Sequence, residues 1–380
     1  MREQTGYLPT LDGWRAIAVF MVILYHDAPH AAGALSTEWF QRHGVLGVDI
    51  FFGISGLLIC SRLLDEERTF GFISLSKFYI RRIFRILPAA LFYLLVVALL
   101  GLLSILPVLP KEWFAALFFY RNYSRFSVTA GHMDWFTAHF WSLSIEEHFY
   151  LLLPAVLVFL PKSWRLPFLG TIVTVVAAWR IYRQQTRHLE FLWHHTDTRL
   201  DALLIPAMLA IVLAHPDGRA WLKKVCRFWF LPAALLVYTL SSDRFPVLAP
   251  ILESSLIPLT LLGTVLYPAG IFARILEFPS SHWLGKISYS LYLWQELFFL
   301  ERFFPNYRPL GWMESFPARW GMLLACATAS YYLVEKPMVK LGHRLAPPAT
   351  PGRLEFDAPE SAAEKQTAQD RSPDLPQAGA

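Results

Sequence analysis

The sequence has few charged residues and very few cysteines. Asp, Glu, Lys and Arg make up 17% of its 380 residues, whereas soluble domains usually carry roughly 25%. Its three cysteines, Cys60, Cys226 and Cys326, are odd in number and lack the paired spacing of metal ligands. The shortage of charge argues against a soluble fold. The cysteine pattern excludes a disulfide framework and a cysteine zinc site, and we expect no metal.

Apolar and aromatic residues are abundant instead. They account for 55% and 16% of the chain, and the mean hydropathy is +0.39. Such a composition predicts an all-α, polytopic integral membrane protein whose rings lie at lipid headgroup depth. The formal charge of +5 comes from basic residues clustered between apolar segments. Because such clusters record membrane topology, we expect membrane lipids and no nucleic acid as partners.

Apolar segments of about 20 residues are long enough to span a bilayer. About ten transmembrane helices are predicted on this basis, and we prefer an uncleaved first span to a signal peptide. They cover residues 13–32, 44–64, 86–106, 141–160, 166–182, 200–214, 228–240, 250–272, 287–304 and 318–334.

Lys and Arg concentrate in alternate loops, which is typical of cytoplasmic segments. Residues 62–85 and 219–227 are the richest, and their side of the membrane is also the side of both termini. From residue 347 the chain has scarcely any large apolar side chain, so it cannot compensate the entropy of ordering. We therefore predict a membrane domain over residues 1–346 and a disordered cytoplasmic tail over 347–380.

The first predicted span carries two ionisable residues, Arg15 and His26. They are 11 positions apart, which places them about 20° from the same helix face and about 16 Å apart along the axis. Arg15 can extend to the headgroups. His26 lies deeper, and buried ionisable groups in membranes are candidates for function.

Two glutamates in the fourth predicted span, Glu146 and Glu147, lie at a depth similar to that of His26. A carboxylate that fixes the imidazole tautomer makes histidine a general base. Neighbouring helical residues point about 100° apart, so only one can address His26, and we favour Glu146. A buried ion pair that merely orients helices is the alternative.

Three arginines, Arg81, Arg82 and Arg85, lie at the cytoplasmic start of the third predicted span. They act either as positive-inside signals or as phosphate ligands, for which arginine is well suited. Arg82 and Arg85 share one helix face.

Four further polar residues in or beside spans are candidates for a cavity that receives a second substrate. They are Asp49, Ser55, Arg199 and Asp201. For Ser55 and its neighbouring glycines, close helix packing is an alternative. Arg199 and Asp201 either complete an outer cavity or close an ion pair.

Taken together, seven ordered motifs resemble the membrane-bound acyltransferase family 3, which includes bacterial O-antigen, exopolysaccharide, nodulation-factor and macrolide O-acyltransferases. The resemblance covers most of the chain. The motifs are Leu11-Asp-Gly-Trp-Arg15 with Tyr25-His26, Gly47-Val-Asp-Ile-Phe-Phe with Ser55-Gly56, Arg81-Arg-Ile-Phe-Arg85-Ile-Leu-Pro88, Trp141-Ser-Leu-Ser-Ile-Glu-Glu147, Arg199-Leu-Asp201, Ile287-Ser-Tyr-Ser-Leu-Tyr-Leu-Trp294 and Glu335-Lys-Pro337.

The resemblance implies transfer of an acyl group, acetyl by default, from acyl-CoA to a hydroxyl of a carbohydrate, glycosylated or lipid-linked acceptor in a bacterial-type inner membrane. Acyl-CoA is then a co-substrate, and no permanently bound cofactor is expected. It places His26, the glutamates and Arg15 in catalysis, with the arginines from Arg81 to Arg85 on acyl-CoA. Gln295 stands where the family often has histidine, which excludes a second catalytic histidine at that position, and Pro206 stands where it usually has glycine.

Two other classes of protein share some of these features. A secondary transporter of a small polar solute also has many spans and intramembrane charges. No motif repeats between the two halves, as an inverted-repeat transporter leads one to expect. An inactive binding or scaffold protein is the third possibility, against which His26 and both glutamates argue.

Overall fold

The computed structural model describes residues 9–27, 43–124, 128–129, 132–133, 135–186, 194–240, 249–267, 271–304 and 307–347. Helices make up most of this part of the chain, and its strands are two antiparallel segments of two residues each, β1 (Val128–Thr129) and β2 (His132–Met133). The predicted all-α class is confirmed. Nearly all of the predicted tail, 347–380, lies outside the described residues.

Fourteen α-helices are described, and a π-helical turn joins the last two. They are α1 (Pro9–His26), α2 (Leu46–Phe70), α3 (Leu75–Leu102), α4 (Pro110–Leu117), α5 (Phe140–Phe159), α6 (Lys162–Thr186), α7 (Thr196–Arg199), α8 (Asp201–Leu213), α9 (Pro216–Leu240), α10 (Ala249–Leu266), α11 (Ile271–Leu276), α12 (Pro279–Phe298), α13 (Ala318–Ser330) and α14 (Lys336–Leu345). The π-helical turn is Tyr331–Glu335, and short 3₁₀ turns cover Arg121–Tyr123, Trp135–Thr137 and Gly311–Glu314.

Every predicted span overlaps a helix, but among the described residues fewer helices have the length and apolarity of a membrane span. Within the described residues, four helical segments are long and apolar enough to cross: α2, α3, Trp135–Phe159 and α10. A fifth is possible if α8 and the first part of α9, bent by 119°, form one span. The chain is thus a multi-pass membrane protein, whereas the expected ten spans are not confirmed. Helices such as α8 and α13, each of 13 residues, are short for a crossing.

Small residues bring the helix backbones close together around α1 and α2. A Cβ atom on Gly285 of α12 would lie 2.0 Å from the carbonyl oxygen of Asp12 in α1. A Cβ on Gly47 of α2 would lie 2.3 Å from the carbonyl oxygen of Ala18. Only glycine fits at such contacts, which is typical of helices packed within membranes. Arg15 and His26 are thereby carried on a helix held between α2 and α12.

The π-helical turn and α14 return the chain towards α3. Gly342 of α14 packs against Phe84 of α3, where an added Cβ would lie 2.6 Å from the phenylalanine Cβ. This contact brings the basic side chains of α14 to the arginines of α3.

Candidate functional site

A basic cavity of about 360 Å³ lies between α1, α2, α3, α12 and α14. Its lining has eight Lys and Arg side chains against the two acids Asp12 and Glu335. The eight cations are Arg15, Arg62, Arg81, Arg82, Arg85, Lys286, Lys336 and Lys340. Such an excess of positive charge, with guanidinium groups among it, is suited to a ligand with several phosphates.

The three arginines of α3 differ in their contacts. Arg81 donates to Glu66 at 3.1 Å, while its Nη1 is buried without a hydrogen-bond partner among the described residues. Arg82 lies over the ring of Tyr150, with 5.3 Å from its Cζ to the ring centroid. Arg82 and Arg85 also line a second cavity, so the shared helix face predicted for them points towards the site.

The second cavity is smaller, about 90 Å³, and largely apolar. Five residues line both cavities, so the two cavities adjoin, and we call the pair the passage: Arg15, Leu58, Ile59, Arg82 and Arg85. We call the second cavity the inner cavity. Phe51, Phe52 and Leu143 contribute to its wall, and Ser55 and Glu146 are among its polar groups.

Arg15 lies where the two cavities meet. It donates to Asp12 at 2.7 Å, one turn earlier on α1. Asp12 in turn lies 3.3 Å from Nδ1 of His282, at the start of α12. The side chain of Arg15 is therefore held in place at the entrance to the inner cavity and does not extend away from the protein.

His26 is the last residue of α1. Its Nδ1 lies 2.9 Å from the carbonyl oxygen of Val22, so Nδ1 carries the proton and Nε2 is the accepting nitrogen. The ring packs edge to face on Trp135, with 5.5 Å between centroids. The side chains of Gln295 and Glu296, from α12, lie close enough to interact electrostatically with the imidazole.

The predicted pairing of His26 with Glu146 is not among the described contacts. Glu146 accepts hydrogen bonds from Ser55 at 3.1 Å and from Tyr150 at 2.8 Å, and it faces the inner cavity. The carboxylate that interacts with His26 belongs to Glu296. Glu147 is half-buried and lines neither cavity. Glu146 and His26 were predicted to pair because they lie at a similar depth in the membrane. Depth does not determine which helices are neighbours within the membrane plane, because helix packing decides that.

Sequence analysis missed a buried pair beside His26, formed by Glu296 and His139. Nδ1 of His139 lies 2.6 Å from Oε2 of Glu296, and the side chains are 1% and 3% exposed. A signal was available: Glu296 is an acid within the predicted span 287–304, where each ionisable residue is a candidate for function.

Three of the four predicted cavity residues lie in buried ion pairs and line neither cavity. Arg199 pairs with Asp49, and Arg180 pairs with Asp201. Arg199 and Asp201 therefore do form ion pairs, as the alternative predicted, but each pairs with a different residue and not with the other. Ser55 does line the inner cavity. Among the described residues there is no group of three or more His, Cys, Asp or Glu side chains able to hold a metal ion.

Similarities to known proteins agree with this geometry. A family model described as an acyltransferase domain matches residues 8–335. A Staphylococcus aureus (strain NCTC 8325 / PS 47) protein named O-acetyltransferase OatA is 29% identical over 362 residues, which is 89% of this chain and 58% of that protein. A protein of S. aureus strain COL, provisionally named an O-acetyltransferase, is 33% identical over 316 residues, 77% of this chain and 50% of the relative. The chain thus spans about half the length of these curated relatives. No solved structure matches it significantly.

Proposed function

Because the chain belongs to the acyltransferase domain family, we propose that it is a membrane O-acyltransferase that moves an acyl group, acetyl by default, from acyl-CoA to a hydroxyl. The observation that carries the proposal is the passage, in which the basic cavity adjoins the narrow, largely apolar inner cavity. Acyl-CoA has several phosphates at one end and a thin, nearly neutral arm that ends in the thioester. The phosphates match the eight cations, and the arm matches the narrow apolar part.

In this proposal His26 is the reacting group beyond the inner cavity. Either its Nε2 takes the proton of the acceptor hydroxyl, whose oxygen attacks the thioester carbon while the carbon–sulfur bond breaks, or Nε2 first takes the acyl group and then passes it on. In both routes CoA leaves as the thiol. The distance along α1 from Arg15 to His26 is about 16 Å for 11 residues. An extended donor arm therefore has to follow α1.

The wider setting is proposed on the same basis. The loops rich in Lys and Arg, including residues 62–85, favour a cytoplasmic basic cavity and cytoplasmic termini in a bacterial-type inner membrane. Acyl-CoA then enters from the cytoplasm. The acceptor is a carbohydrate, a glycosylated small molecule or a lipid-linked glycan, in line with the motif resemblance.

The test uses the full chain in nanodiscs with radiolabelled acetyl-CoA, following CoA release and protein-bound label. We expect His26→Ala to lose both signals. The matched control is His215→Ala, since His215 is an exposed histidine that lines neither part of the passage. Thermal unfolding of each variant checks that the fold is intact.

Wild-type turnover that persists in His26→Ala would remove His26 from the reaction. If the wild type neither turns over nor binds acyl-CoA of several chain lengths, the donor assignment fails. A secondary transporter then becomes the leading hypothesis.

A further inference from the structure

Glu296 fixes the orientation and tautomer of His139. Its Oε2 lies 2.6 Å from Nδ1 of the imidazole and accepts from the backbone N–H of the same residue at 3.2 Å. Since the carboxylate accepts at Nδ1, the ring's other nitrogen, Nε2, is left as an acceptor. That Nε2 is buried and has no hydrogen-bond partner among the described residues.

Gln295, the preceding residue of α12, is fully buried. Neither its amide nitrogen nor its amide oxygen has a hydrogen-bond partner in the described part of the chain. The side chain interacts with the imidazole of His26. Gln295 and His139 both lie close enough to the imidazole of His26 to interact with it, so these two unsatisfied groups lie in one neighbourhood.

Buried polar groups without partners are rare, because leaving such a group unsatisfied destabilises the protein. The three unsatisfied atoms are the amide nitrogen of Gln295, which is a donor, and two acceptors, the amide oxygen of Gln295 and Nε2 of His139. A hydroxyl both donates and accepts, so neighbouring hydroxyls of a polyol satisfy this set. Trp135 completes the surroundings, because it packs edge to face on His26 and donates to the backbone oxygen of Glu296 at 2.9 Å.

We propose that the amide of Gln295 and Nε2 of His139 bind the hydroxyl-bearing acceptor beside His26, and that Glu296 positions His139 for this contact. The acceptor class is a neutral polyhydroxy compound. The inference rests on the proposed acyl transfer, because the bound compound is an acceptor only in that reaction. Binding of the compound at this site is testable without turnover.

The experiment uses the full chain in nanodiscs and glycerol as the simplest polyol. High-resolution electron cryomicroscopy with glycerol present should show a glycerol oxygen within hydrogen-bond distance of Nε2 of His139 or of the Gln295 amide. Saturation-transfer NMR titration gives the affinity. We expect Gln295→Met and His139→Asn each to weaken glycerol binding about 10-fold, the loss of roughly one hydrogen bond. In His139→Asn the shorter amide can still donate to Glu296, while Nε2 is gone.

Ser254→Ala is the matched control, because Ser254 is a buried hydroxyl of α10 that also lacks a partner among the described residues. We expect it to leave glycerol binding unchanged. Acetyl-CoA binding should stay within twofold of wild type in all three variants, and its absence in wild type would count against the proposed function only. Direct pairing of the two groups with other side chains, water alone at every glycerol concentration, or unchanged affinity in both variants would overturn the inference.

Discussion

The guanidinium of Arg180 makes two hydrogen bonds to the carboxylate of Asp201, of 3.0 Å and 2.8 Å, at a site where both side chains are almost fully buried. Arg180 lies on α6 and Asp201 begins α8, so the pair ties together two helices outside the passage. Asp201 therefore lies in a buried ion pair and lines neither cavity.

Removing one partner of this pair should destabilise the protein severely. We expect Arg180→Gln to lower the free energy of unfolding by about 3–5 kcal/mol, because Asp201 is left charged and buried. Denaturation in detergent measures the loss. The double variant Arg180→Leu, Asp201→Leu should recover at least half of it. A loss no larger than that in Arg68→Gln, which breaks an exposed pair with Asp65, would contradict the prediction.

Gly56 should tolerate no side chain. A Cβ there would lie 2.4 Å from the carbonyl oxygen of Leu203, so Gly56→Ala has to push α2 away from α8. We expect a loss of about 1–3 kcal/mol, the usual cost of overpacking. Gly321→Ala is the control, since a Cβ at Gly321 meets nothing within 4 Å. Thermal unfolding of the two variants should differ clearly; equal midpoints would show that the two helices adjust freely.

Arg82 should contribute directly to donor affinity. We expect Arg82→Gln to weaken acetyl-CoA binding about 10- to 100-fold, because a hydrogen bond to a charged group contributes about 1.5–3 kcal/mol. Calorimetric titration in nanodiscs measures the dissociation constant. Arg68→Gln removes an equal charge from α2 outside the two cavities and should leave the affinity within twofold. An equal effect of both variants would indicate a general charge effect and no site.

Glu314, in the 3₁₀ turn before α13, should make stability depend on pH. Burial raises the pKa of Glu314 to about 7 from the ordinary 4.5, although the backbone N–H of Leu310 and the nearby Arg308 oppose the rise. The folded protein therefore binds a proton that the unfolded chain releases. Stability from this residue is complete below pH 4.5 and is lost as the pH rises through 7.

Glu314→Gln keeps an oxygen for the Leu310 N–H, which Glu314 accepts at 2.8 Å, and cannot ionise. The difference in melting temperature between variant and wild type should grow between pH 5 and pH 8. A constant difference over that range would show that Glu314 has its ordinary pKa in the folded protein.

The helices could be predicted from the sequence because long apolar runs are a property of the sequence itself. Each predicted span does overlap a helix. The grouping of Arg82 and Arg85 on one cavity followed from their spacing on a single helix. The partner of His26 did not follow, because depth in a membrane leaves open which helices are neighbours. Asp49 and Arg199, 150 positions apart, pair for the same reason: only the packing of α2 beside the start of α8 brings them together.

The basic cavity is the end of the passage at which, under the proposed function, both the donor and its product CoA bind. CoA keeps all the phosphates of acyl-CoA, so under the proposed function loss of the acyl group leaves the contacts between phosphates and arginines unchanged. We expect CoA to be a strong competitive product inhibitor, and we expect its release to limit the rate of turnover. Added salt should then speed release while it slows capture, because screening weakens both. Turnover at saturating donor would rise with ionic strength before it falls.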